Sequence, residues 1–85
     1  MTYEWDPAKA VSNLKKHRVS FEEPASVFLD SSALTFWDPD HSPVEDREIT
    51  IGRSTWQRIL FVAHAQRQDR VRIIAASDER GANTI

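Results

Sequence analysis

Ile59-Leu60-Phe61-Val62-Ala63-His64-Ala65 is the longest apolar run in the chain, and its reading decides the fold. It is too short for a buried helix and rich in β-forming residues, so it reads as a strand covered on both faces. A strand of that kind belongs in the middle of a sheet. The flanking segments, Glu48 to Gly52 and Arg70 to Ala76, alternate apolar and polar side chains and read as its two neighbours. Ala33 to Trp37 is a further strand candidate, and Tyr3 to Trp5 is either an edge strand or a packed arm. The residues between that arm and Ser32 look helical and must supply the layer that covers the sheet.

The first helix is announced by Asp6 as N-cap and Pro7 at its first position, where the missing N–H costs nothing. It runs to about His17, with Ala10, Val11 and Leu14 spaced as an apolar stripe. Its last turn collects Lys15, Lys16, His17 and Arg18. These cations compensate the negative end of the helix dipole, or form a corner for a phosphate. Ser20-x-x-Glu23 reads as a capping box ahead of a second helix, in which Phe21, Ala25 and Phe28 share a face.

Eighty-five residues make one domain, 1–85, and leave no room for a second core. The net charge of -2 favours no partner class, but its distribution is uneven. Residues 31–48 hold one Arg against five Asp and Glu; residues 49–85 hold six Arg against three. The absence of Cys excludes disulfides, Cys-ligated metals and thiol nucleophiles, and makes the cytoplasm the expected location. The N-terminus lacks a signal-peptide pattern, and no apolar stretch approaches the roughly 20 residues of a membrane span.

The run Asp38-Pro39-Asp40-His41-Ser42-Pro43 is a loop rich in turn formers. Asp38, Asp40 and His41 make a thin metal set, and turn hydrogen bonding accounts for the Asp residues more cheaply. Strand parity sets Arg47 on the face of Ile49 and Ile51, at its rim. It also sets Val71, Ile73 and Ala75 on one sheet face and Arg70, Arg72 and Ile74 on the other. Paired cations on an open sheet face suit an RNA backbone, and also suit a solvated strand. His64 shares a face with Leu60 and Val62, the usual setting of a hydrogen-bonded core histidine.

An ordered series of residues carries a family resemblance. It begins with Glu4-Trp5-Asp6-Pro7-x-Lys9-Ala10, Asn13 and Lys16-His17-x-Val19-Ser20-Phe21-Glu22-Glu23. It continues through Val27-Phe28-x-Asp30, Glu45-Asp46-Arg47, Ile51-Gly52-x-Ser54 and Arg58-x-Leu60 to Arg70-x-Arg72-Ile73-Ile74. Over residues 4 to about 76 the chain resembles the BrnT toxins of bacterial type II toxin–antitoxin systems. The resemblance implies a RelE-like α+β fold, two N-terminal helices packed on one face of an antiparallel sheet. It implies a ribonuclease that cleaves RNA without metal or cofactor and inhibits translation. The implied partner is a BrnA-type antitoxin that carries the DNA contact; a homodimer and a heterotetramer with the antitoxin are the two assemblies left open.

On that footing Arg72 and Arg47 are expected to stabilise phosphate charge, and His17 with Lys16 to do acid–base work, with His64 and His41 as alternates. Arg70, Arg58 and His64 are expected to bind substrate. Three departures from the family pattern stand out: Arg18 in place of Gly, Pro24 in place of Ala, and Ser77 in place of Arg. The usual C-terminal helix is expected to be missing or reduced, with 76–85 an irregular tail. The competing reading is an antitoxin-binding or co-repressor subunit that does not cut RNA.

Overall fold

The computed structural model describes residues 2–38 and 46–80. Strand β1 (Thr2–Glu4) leads into helix α1 (Pro7–His17), a single helical turn α2 (Glu22–Ala25) and a 3-10 turn (Ser26–Leu29). Strands β2 (Leu34–Trp37), β3 (Arg47–Arg53), β4 (Ile59–Arg67) and β5 (Arg70–Asp78) follow. The sheet order is β1-β5-β4-β3-β2, so the apolar run quoted above is the central strand. The contacts β2–β3, β3–β4 and β4–β5 are antiparallel. β1 pairs with β5 in parallel, so the sheet is mixed and not antiparallel throughout. The parallel pair follows from connectivity: α1, α2 and three strands separate β1 from β5, ample chain for a crossover.

The expected start of α1 is present. Asp6 is extended at φ -80, ψ 121, and its side chain accepts from the Ala8 amide at 2.8 Å. The helix ends on Arg18, which takes the left-handed conformation at φ 60, ψ 31 and donates its amide to Leu14 O. The second helix is much shorter than the sequence pattern predicts. Ser20 Oγ accepts from the Glu23 amide at 3.3 Å, but the Glu23 carboxylate turns away instead of closing the box. Pro24 removes one helical donor. Ser26 Oγ donates back to Glu23 O at 2.7 Å, competing with the α-helical bond and tightening the chain into the 3-10 turn.

The main core lies between the helices and one sheet face. Val19, Phe21, Val27, Leu60, Val62, Ile73 and Ala76 form it, with Tyr3, Trp5, Ala10 and Phe28 packed around. Tyr3 stacks on Phe28 at 5.5 Å, and Trp5 meets Phe21 edge-on at 6.1 Å. Tyr3-Glu4-Trp5 therefore alternates as a strand should, with both aromatics in the core and Glu4 on the reverse face. At Gly52 the 3-10 turn comes so close that an added Cβ would sit 2.8 Å from Val27 Cγ1 and 2.9 Å from Ala33 Cβ. Ile49, Ala63, Ala65 and Ile74 make a smaller cluster on the other face.

Two expectations for β5 are corrected. Ala63 pairs with Ala75 and His64 with Ile73, so Ile74 is an extra residue, a β-bulge. The bulge breaks the alternation, and Ala75 joins the Ile74 face instead of the Ile73 face. The strand also continues past residue 76 to Asp78, and Ala76 and Ser77 are fully buried, so no tail begins there. Residues 81–85 lie outside the described residues, as do Asp40 and His41 of the metal reading.

Helix α1 does not dock as its apolar stripe suggests. Val11 and Leu14 are 56% and 50% exposed, and the buried residue is Asn13. β1 covers only Arg70 to Arg72 of β5, so among the described residues the β5 edge beyond has no strand partner. The Asn13 carboxamide takes that place. Its Nδ2 donates to Ala76 O at 2.7 Å and to Val19 O at 3.0 Å, and its Oδ1 accepts from the Ala76 amide at 3.1 Å. One side chain thus satisfies both edge-facing backbone groups of Ala76 and ties the helix to the sheet.

Candidate RNA-cleaving face

The helix-free face of the sheet is laid out by strand register. Arg47 of β3 lies opposite Ala65 of β4, Ala65 opposite Arg72 of β5, and Arg72 beside Glu4 of β1. Paired residues share a face, so Arg47 and Arg72 flank the small Ala65 from either side. Two strand spacings put their backbones about 10 Å apart. Arg70 and Arg67 are opposite one another one step further along the same face.

Glu4 fixes two of these cations. Arg72 Nε and Nη2 lie 3.1 and 2.8 Å from Glu4 Oε2, and Arg70 Nε lies 3.1 Å from Glu4 Oε1. At partly exposed positions such pairs add little stability, about 0–1 kcal/mol each. Their effect is orientation: Glu4 engages two of the three guanidinium nitrogens of Arg72 and fixes where that side chain lies. Sequence reading missed Glu4 as a site residue, although Tyr3-Glu4-Trp5 carried the signal, an acid between two core aromatics.

Lys16 and His17 lie in the last turn of α1. Together with Lys9 and Ser12 they wall a groove of about 180 Å³ whose floor is Ile74 and Ala75 of β5. The groove floor thus begins two residues along β5 from Arg72. Partial burial and the neighbouring Lys16 ammonium lower the His17 pKa, while Asp78 opposes them. The imidazole is therefore biased toward its neutral, proton-accepting form near pH 7.

Arg58 and His64 lie elsewhere. Arg58 donates from Nε to Glu23 Oε2 at 2.8 Å, from Nη2 to Glu23 Oε1, and from Nη2 to Arg18 O at 3.2 Å. Glu23 is buried and also accepts from Ser54 Oγ at 2.6 Å; the Arg58 fork holds its carboxyl below the usual range. Arg58 thus clamps α2 to the β3–β4 connection and is not presented beside Arg72. His64 is 6% exposed on the helix-covered face, with Phe28 edge-on at 4.9 Å and Thr50 Oγ1 at 2.6 Å from Nε2. Burial pushes its pKa down to about 4. Its setting is that of a neutral core residue, so the expectation that it binds substrate finds no support in its position.

Among the described residues no group of His, Asp and Glu is arranged to hold a metal ion. No helix of the described residues is long and apolar enough to cross a membrane. A family model described as the ribonuclease toxin, BrnT, of type II toxin–antitoxin systems matches residues 5–81. No curated protein matches the chain.

Proposed function

The chain belongs to the BrnT family of ribonuclease toxins of type II toxin–antitoxin systems, and from that premise we propose that it cleaves RNA on the arginine-bearing sheet face. The observation that carries this reading is the register of Arg47, Ala65 and Arg72, which leaves two guanidinium-bearing residues on one face with a small residue between them. A phosphodiester lying over Ala65 is then within reach of both.

Cleavage needs no metal in this scheme. His17 Nδ1 or Nε2 takes the proton from the ribose 2′-OH, and the oxygen attacks the adjacent phosphorus. Arg72 and Arg47 stabilise the charge that grows on the non-bridging oxygens, while Arg70 positions the strand. The P–O5′ bond breaks as a proton from the Lys16 ammonium or from imidazolium reaches the leaving oxygen. The products are a 2′,3′-cyclic phosphate and a free 5′-hydroxyl. Loss of intact RNA inhibits translation in the cytoplasm. The type II family implies a protein antitoxin; a BrnA-type partner that supplies all DNA contact, in a heterotetramer, is the form we propose.

The test is purified protein on single-stranded RNA, with and without chelator, beside Arg72→Ala. Cleavage should survive chelation and leave cyclic-phosphate ends. Arg72→Ala should lose about 10²–10³-fold in rate, the scale for one charge-stabilising donor, with its thermal midpoint retained. A fully active Arg72→Ala protein, or a strict need for divalent cation, overturns the scheme. A second reading is favoured by Ser77, which is fully buried where the family resemblance calls for Arg: an antitoxin-binding subunit that does not cut. It predicts a folded protein that binds antitoxin and leaves RNA intact.

A further inference from the structure

Helix α1 is turned the wrong way for an ordinary amphipathic helix. Its apolar Val11 and Leu14 face solvent, while Lys9, Ser12, Lys16 and His17 line the groove against β5. A helix that breaks the usual hydrophobic pattern needs a compensating gain, and such breaks collect at functional sites. The hydrogen bonds of Asn13 explain how the helix is held in this orientation, but not why lysines border the groove.

We propose that the groove between α1 and β5 is a second phosphate subsite, which holds the RNA backbone next to the phosphodiester lying across Arg47 and Arg72, with Lys9 as a binding residue. The proposal rests on the ribonuclease reading above and extends it along the substrate strand. Charge is the first argument: among the described residues no carboxylate lines the groove, and its polar wall is Lys9, Ser12, Asn13, Lys16 and His17. Asp78, which acts on His17, contributes to the next hollow and not to this one. Continuity is the second. Arg72 and Ile74 share the sheet face two residues apart, a step of about 7 Å, comparable with the advance from one nucleotide to the next. Shape is the third. The floor of Ile74 and Ala75 is apolar and the walls are polar, which suits a ribose lying on the floor with its phosphate toward Lys9.

Lysine ammonium groups are point charges that read the backbone and not the bases, so the subsite adds affinity without sequence preference. The experiment is binding of a fully 2′-O-methylated single-stranded RNA, which lacks the attacking hydroxyl, across a salt series. Wild type, Lys9→Gln and Lys9→Arg are compared, and the all-ribose strand is used in parallel for cleavage. Removing one phosphate contact from a single strand should lower the salt slope by about 0.7 and weaken binding about fivefold at 0.1 M salt. The loss should be equal for unrelated sequences, fall on KM and not kcat, and be largely restored by Lys9→Arg, with the thermal midpoint unchanged. Wild-type affinity and slope in Lys9→Gln overturn the proposal. So does weakened association with the antitoxin at unchanged RNA binding, which would assign the groove to an acidic protein segment. Wild-type protein that binds RNA with the full slope but cuts none refutes the ribonuclease reading and leaves the groove standing. Wild-type protein that cuts, with an unchanged KM in Lys9→Gln, refutes the groove alone.

Discussion

Asn13→Leu should remove the tie between α1 and β5 while keeping the branched outline of the side chain. Asn13 is 7% exposed and makes three hydrogen bonds to backbone, at 3.0, 2.7 and 3.1 Å. Leucine leaves Val19 O, Ala76 O and the Ala76 amide without partners. At about 1 kcal/mol or more for each stranded group, the loss is about 3–4 kcal/mol. A chain of this size has roughly 4–13 kcal/mol in total, so the variant should melt about 12–30 °C lower. Asn13→Asp separates this cause from loss of packing. Its carboxylate still accepts from the Ala76 amide, but sets a second oxygen against the two carbonyls that Nδ2 had served. That arrangement raises the Asp pKa in the folded state, so the variant should be most stable in acid and lose stability as pH rises through that pKa. The assays are thermal melting at several pH values and hydrogen exchange at the Ala76 amide, which should accelerate in both variants. An Asn13→Leu protein that melts within about 3 °C of wild type, with Ala76 still protected, would refute the reasoning; so would an Asn13→Asp protein whose stability rises with pH.

Three further outcomes are expected. Burial holds His64 at about 4, below its unfolded value of ~6.5, so its contribution is complete above about pH 6.5 and is lost as pH falls toward 4, up to about 3 kcal/mol. His64→Gln should flatten that part of the urea-midpoint profile, and an unchanged slope would count against the assignment. Arg18 sits at φ 60, where a side chain costs energy, so Arg18→Gly should raise stability by roughly 0.5–1 kcal/mol; differential scanning would read this as a higher midpoint. Ser77 Oγ is buried without a hydrogen-bond partner among the described residues, so Ser77→Ala should stabilise by about 1 kcal/mol, and a lower midpoint would show that the hydroxyl is in use.

Much of the fold was legible because local signals agreed with it. The apolar run at Ile59 to Ala65 is the central strand, Asp6-Pro7 opens α1, and parity placed Arg47 on the Ile49 and Ile51 face. The errors have local causes as well. Ser26 bonding back to Glu23 shortened α2, and one extra residue at Ile74 moved Ala75 to the other face. In the candidate site, Arg72 and Arg47 were singled out by the family resemblance, and strand spacing gave only the parity of each within its own strand. The fate of Arg58 was not legible, because Glu23 is far away in sequence and only the packing of α2 brings it near. Glu4 was missed for the same reason: its meaning depends on pairing with β5, at the other end of the chain.

The sequence by itself determined the periodic parts: that the apolar run at Ile59 to Ala65 is a strand, where α1 begins, and that Arg70 and Arg72 alternate with Val71. Each depends on neighbours a few residues away. Only the tertiary structure decided that β1 joins β5 in parallel, that Asn13 rather than Val11 and Leu14 docks α1, and that Arg58 and His64 sit apart from the arginine face. Those outcomes turn on single hydrogen bonds and ion pairs between residues distant in the chain, as in the bonds of Asn13 to Ala76. No local pattern encodes them, because a carboxamide or a carboxylate takes whichever partner the fold brings within reach.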